Sequence, residues 1–206
     1  WYCSNQIRGG SMTTTTNTDA PAYMVDGVLT DGEAWVALQS HVLSADATGV
    51  TFQSSTGAND WSQYMDLVII AYCQSDTEGS VISRYNNDTG NSYCYQEWYG
   101  NGVSFGAYQS GALGYNFVGY CLKVADGTND FSMFKIDIFD INSGKYKTSA
   151  SQYASDKDGG GNVGEVVTTW KNQAAIEEID LLAWTGDWKD GSRFDLFGVL
   201  PRMVTA

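Results

Sequence analysis

The chain is expected to fold as all-β, a single antiparallel β-sandwich preceded by an extended N-terminal arm. Three observations predict this. Of 206 residues 14% are aromatic and 23 are Gly, while Glu, Lys, Arg and Leu are scarce, so strand and turn formers outweigh helix formers. Short apolar runs recur between turn-forming clusters at intervals of roughly 8 to 12 residues, the spacing of sandwiches and barrels. The two prolines, Pro21 and Pro201, bracket a long span in which every backbone N–H can join a ladder.

The elements follow in chain order. Residues 1–30 read as the arm, because the run from Thr13 to Asp19 is polar, of low complexity and followed by Pro21. Such a segment has no core of its own, and arms of this kind commonly order against a partner subunit. Trp1-Tyr2-Cys3 and Tyr23-Met24-Val25 supply apolar anchors. The chain begins at Trp1 and not at Met, as expected of a processed product or a fragment, and it shows none of the zones of a secretory signal.

Residues 31–200 are assigned to the sandwich and 201–206 to a tail. Strands are expected at Ala34–Leu43, Gly49–Gln53, Met65–Cys73, Val81–Tyr85, Tyr93–Tyr99 and Val103–Tyr108. Six more are expected at Tyr115–Val124, Phe131–Ile141, Tyr146–Tyr153, Gly164–Trp170, Ile176–Ala183 and Arg193–Leu200. Phe134-Lys135-Ile136-Asp137-Ile138-Phe139 alternates as a half-buried strand should. Ile176 to Leu181 is less regular and reads as a strand or a helical turn. Asn87-Asp88-Thr89-Gly90, Asn142-Ser143-Gly144-Lys145 and Asp158 to Asn162 offer Gly or Asn where a hairpin needs positive φ.

Eleven basic against 24 acidic residues give a net charge of -13, which repels phosphate backbones and anionic lipid and argues against both as partners. No apolar run approaches the length of a membrane span. Cys3, Cys73, Cys94 and Cys121 show no metal-ligand spacing, and they read as reduced structural cysteines of a protein assembled in a reducing cytoplasm.

The segment Arg84-Tyr85-Asn86-Asn87-Asp88-Thr89-Gly90-Asn91-Ser92-Tyr93, followed by Tyr99-Gly100-Asn101-Gly102, resembles an R-x-N-x-D-T-G-x-x-Y and Y-G-x-G motif of phage structural proteins. Gly49-Val50-Thr51-Phe52, Tyr64 to Val68, Lys145-Tyr146-Lys147-Thr148 and Gly191 to Gly198 extend the likeness in the same order from about Trp35 to Leu200. The resemblance implies a virion component with a jelly-roll-like sandwich: a tail-fibre, baseplate or capsid decoration protein, often trimeric. It carries over no catalytic residue. The Phe- and Tyr-rich stretch from Phe105 to Tyr120 and Cys94 depart from the pattern.

Several residues are candidates for binding. Arg84, Asn86 and Asp88 either lie on an exposed edge suited to a sugar or a neighbouring subunit, or build a hairpin turn in which Asp88 accepts backbone N–H bonds and Arg84 pairs across strands. Alternation places Tyr93, Tyr95 and Glu97 on one strand face and Cys94, Gln96 and Trp98 on the other. An aromatic surface around Tyr95, Trp98 and Tyr99, or around Trp184 and Trp188, suits carbohydrate stacking or a protein interface, and core packing is the alternative. Asp156, Asp158 and Asn162 have some look of a calcium loop, but Glu165 comes too early for the EF-hand spacing. His41, the single histidine, has no nucleophile motif near it, and no pair of acids stands out as a glycosidase pair.

These features fit a non-enzymatic virion subunit that docks through its arm, presents the sandwich outward and associates with itself as a trimer. A host-receptor or glycan-binding module is the second reading, and a polysaccharide hydrolase the third.

Overall fold

Alternation decides which side chains each strand buries. In Ser132–Phe139 the residues Ser132, Phe134, Ile136 and Ile138 point inward, and Met133, Lys135, Asp137 and Phe139 alternate with them. The same period runs through Arg193–Val199, where Phe194, Leu196 and Gly198 are the buried set. The computed structural model describes residues 12–16, 24–25, 28–29, 35–121, 123, 130–157 and 160–200.

Two antiparallel sheets form the sandwich. The larger contains β1 (Met12–Thr16), β4 (Trp35–Leu43), β6 (Asp66–Cys73), β8 (Tyr93–Gly100), β9 (Phe105–Leu113), β11 (Ser132–Phe139), β12 (Lys147–Lys157), β13 (Gly160–Trp170) and β15 (Arg193–Val199). Its spatial order is β1-β4-β15-β6-β11-β12-β13-β8-β9. The smaller contains β5 (Gly49–Gln53), β7 (Gly79–Tyr85), β10 (Asn116–Cys121) and β14 (Glu178–Ala183), in the order β10-β7-β14-β5. A separate two-stranded ribbon pairs β2 (Met24–Val25) with β3 (Val28–Leu29).

Eight of these strands are shared equally between the sheets, and the chain changes sheet at every step except from β7 to β10. They place β4-β15-β6-β11 in one sheet and β5-β14-β7-β10 in the other, the strand arrangement of a jelly roll. Two hairpins are inserted into that frame, β8–β9 between β7 and β10, and β12–β13 between β11 and β14. The inserted strands pair through β13 and β8 and widen the larger sheet into a wing that overhangs the β10 edge.

The core between the sheets holds Trp61, Trp170, Trp188, Phe52, Phe134 and Phe194, all essentially inaccessible to solvent. Burial of each such ring stabilises the fold by roughly 1.5–3 kcal/mol or more, so this cluster dominates cohesion. Under β10 the filling is polar. Asn116 Nδ2 donates to Ser83 Oγ, Tyr85 Oη and Ser149 Oγ at 2.9, 2.8 and 3.2 Å. Ser149 and Thr168 share a 2.6 Å hydrogen bond, and Ser151 Oγ donates to the Val118 carbonyl at 2.6 Å. Small hydroxyl side chains on β12 let β10 approach closely, and the β10 bulge between Phe117 and Gly119 completes the fit.

The all-β sandwich expected from the sequence is present, and all twelve expected runs contain a strand. Ile176–Ala183 resolves as strand β14 and not as a helical turn. The largest boundary error is at β9, which runs to Leu113 and not to Tyr108. The arm and the tail fall mostly outside the described residues, but Met12–Thr16 joins the sheet edge by pairing with β4.

Candidate functional site

The R-x-N-x-D-T-G-x-x-Y segment is a joint between the two sheets. Because β7 lies in the smaller sheet and β8 in the larger, residues 86–92 cross between them, and the expected hairpin at Asn87 to Gly90 is not formed. Asn86 and Asn87 adopt left-handed φ of 52° and 56°, a region that Asn tolerates. The Asn86 side chain donates to the Ala175 carbonyl at 2.7 Å and accepts from the N–H groups of Glu177 and Glu178. Asp88 accepts from Gly90 N at 2.8 Å and from the Trp170 indole at 2.7 Å. Burial pushes its carboxyl up, yet the bonds from Trp170, Gly90, Ser92 and Asn172 together hold it below the usual carboxylate range.

Tyr93 closes the joint by accepting the Tyr85 N–H on its hydroxyl at 3.0 Å. Arg84 faces Asp180 in the β7–β14 register. The expected cross-strand pairing is not formed: Asp180 accepts from Thr51 Oγ1, and the buried Arg84 Nε has no hydrogen-bond partner among the described residues. Asn86 and Asp88 are thus engaged internally and do not form a ligand edge.

The two faces of β8 diverge as alternation requires. Trp98 points to the outer face of the larger sheet, 48% exposed, and stacks on Phe105 of β9 at 6.3 Å. Tyr99 points to the inner face and stacks on Tyr108 at 5.9 Å. The single platform expected from adjacent Trp98 and Tyr99 therefore does not exist. No third layer covers the outer face among the described residues, and its apolar side chains fall in two groups. Trp35, Val42, Ile70, Tyr72, Met133 and Phe139 lie on the jelly-roll strands, and Val163, Val167, Trp98 and Phe105 lie on the wing. Lys135–Asp137 and Arg193–Asp195 ion pairs, each at 2.7 Å, punctuate the first group. Next to the second, Cys94, Gln96, Gln109, Val167 and Thr169 line a shallow depression.

Where the wing overhangs β10, its inner face forms a shelf of tyrosines. Tyr95 packs on Phe117 at 4.8 Å, and Tyr120 meets Tyr99 and Tyr153 edge-on at 6.5 and 6.0 Å. Beneath them Glu97 is 4% exposed. Its Oε1 accepts from Tyr153 Oη at 2.6 Å, and its buried Oε2 has no hydrogen-bond partner among the described residues. Burial raises the Glu97 carboxyl above its ordinary range, partly offset by the Tyr153 bond. Burial and the nearby Glu97 push the Tyr120 phenol up to about 12. A buried carboxyl roofed by aromatic faces, with no cation beside it among the described residues, favours its protonated form.

Trp188 is fully buried and donates its indole N–H to the Leu181 carbonyl at 3.2 Å, which removes it from the expected surface pair. Trp184 is half exposed and packs on Tyr115 at 4.7 Å. His41 is buried on β4, hydrogen-bonded to Thr14 Oγ1 at 3.0 Å and edge-on to Phe52, and burial lowers its pKa. Of the suggested calcium ligands, Asp158 and the side chain of Asp156 lie outside the described residues, and Asn162 sits in β13 opposite Ser155. Glu97, Tyr108, Tyr120 and Tyr153 were not singled out from sequence. The available signal was a charge in the same alternation phase as Tyr93 and Tyr95. No protein-family model matches the chain, and no curated protein matches its sequence.

Proposed function

We propose that this chain is a structural subunit of a bacteriophage particle. In this reading it is a capsid decoration or fibre protein, attached through its N-terminal segment, that presents the sandwich outward and is assembled in the host cytoplasm. The observation that supports the reading is the outer face of the larger sheet, which no other described residues cover and on which ten of the fourteen large exposed apolar side chains among the described residues gather. Large apolar side chains gathered on one face of a domain suit a subunit interface, and burial between copies removes them from water. The ordered motif from Gly49 to Gly198 adds the phage attribution. A homotrimer is the expected assembly. Light scattering on the purified chain tests it, with the Ile70→Lys variant expected to be a folded monomer. A wild-type chain that stays monomeric at every concentration defeats the self-association. Label on this chain, imaged on intact particles, tests the virion assignment, and particles without label defeat it.

A second reading rests on a different face. The tyrosine shelf over Glu97 supports a receptor- or glycan-binding role, since aromatic faces suit sugar rings. A glycan array that shows binding abolished by Tyr108→Ala supports it, and one with no signal above background counts against it.

A further inference from the structure

We propose that Cys73 and Cys121 form a disulfide between the two sheets, closed by a peroxide-class oxidant small enough to enter the core. Cys73 ends β6 in the larger sheet and Cys121 ends β10 in the smaller one. Just beyond them the two sheets converge: Ser75 and Lys123 form a parallel bridge. Two residues earlier on each side, Cys73 and Cys121 end their strands and are buried in the same core. One contact joins them: Cys121 Sγ donates to the Cys73 carbonyl oxygen at 4.0 Å. Cys94 lies apart on β8, next to the Thr169 carbonyl at 3.9 Å.

Cys73 Sγ and Cys121 Sγ are both buried in the core, and either could attack first. With Cys121 first, the attack runs through its deprotonated thiol. It displaces hydroxide from hydrogen peroxide to give a sulfenic acid, and the proton it lost converts that hydroxide to water. The Cys73 sulfur then attacks the sulfenic sulfur, its proton leaves with the departing hydroxyl as a second water, and the S–S bond closes. Both residues are at most 1% exposed, which favours an oxidant of water's size over a bulky disulfide. The bridge would close a loop of 48 residues that holds β7, the crossover and the β8–β9 wing hairpin.

The test uses the full chain with Cys3→Ser and Cys94→Ser, so that Cys73 and Cys121 are the remaining thiols. After hydrogen peroxide, denaturing alkylation and peptide mass analysis should show both thiols lost and their two peptides linked. The unfolding equilibrium constant should fall by roughly 30-fold to 1,000-fold, and a reductant should restore it. The same chain carrying Cys73→Ala should show no peroxide-dependent shift. If that variant does not fold, reversal by reductant in the parent carries the test. Free thiols after peroxide, or separate sulfinic acids on unlinked peptides, would overturn the proposal.

Discussion

Asp88 accepts the indole N–H of Trp170 at 2.7 Å, and this bond fastens the crossover between the sheets to the last residue of β13. Trp170 is 1% exposed and packs against Tyr85 and Tyr93, so removing the acceptor costs its N–H a protein partner. Asp88→Ala is expected to destabilise the fold by roughly 1–3 kcal/mol, measured as a shift in the urea midpoint followed by tryptophan fluorescence. The folded state holds this carboxyl below its ordinary range. Its stabilisation is therefore full above the ordinary carboxylate pKa and is lost as pH falls through the folded value. The gap between wild type and Asp88→Asn should shrink below about pH 4.

Glu97 behaves in the opposite sense. Burial raises its folded pKa, so folding favours the protonated form, and that contribution is present at low pH and lost as pH rises past the unfolded value. Glu97→Gln retains an acceptor for Tyr153 Oη and removes the ionisation. The variant is expected to equal or exceed wild type in stability at pH 7, and the advantage should vanish near pH 4 and below. Wild type more stable than the variant at pH 7 would show that the charge has a partner.

The strands were legible because alternation and turn chemistry are local properties of the chain. Phe134 to Phe139 displays its buried face without reference to any neighbour. The crossover was not legible, because Asn87 to Gly90 has the same turn chemistry whether β8 returns to pair with β7 or leaves for the other sheet. Trp188 failed for a related reason. Its flanking Asp and Gly residues mark a loop, but the loop folds over the core and hands its indole N–H to Leu181. The shelf depends on strands far apart in sequence, with Glu97 and Tyr153 separated by 56 residues, and single-strand periodicity carries no such pairing.

Gly119 of β10 lies against the Tyr153 ring of β12. Its φ is +146°, and a Cβ there would strike the Tyr153 ring. Gly164 lies beneath the same phenol. Gly119→Ala therefore combines backbone strain with a clash inside the packed core. A loss of roughly 2–4 kcal/mol is expected by chemical denaturation. A change within 0.5 kcal/mol, about the size of ordinary surface substitutions, would mean that β10 can retreat from β12 at little cost.

Trp98 and Tyr99 are neighbours in sequence that serve opposite faces, and their alanine variants should separate assembly from ligand capture. Trp98 stacks on Phe105 at the outer face, so Trp98→Ala removes apolar surface that the proposed subunit contact would bury. Stability of the isolated chain should change by no more than about 1 kcal/mol, while self-association weakens by roughly tenfold or more. Tyr99 lies on the shelf with its ring over Gly106. Tyr99→Ala should leave the association constant unchanged and abolish any binding detected on a glycan array. Light scattering and the array, run on both variants, give four readings. Loss of both properties in both variants would place assembly and ligand on one surface, against the alternation that sends these two side chains apart.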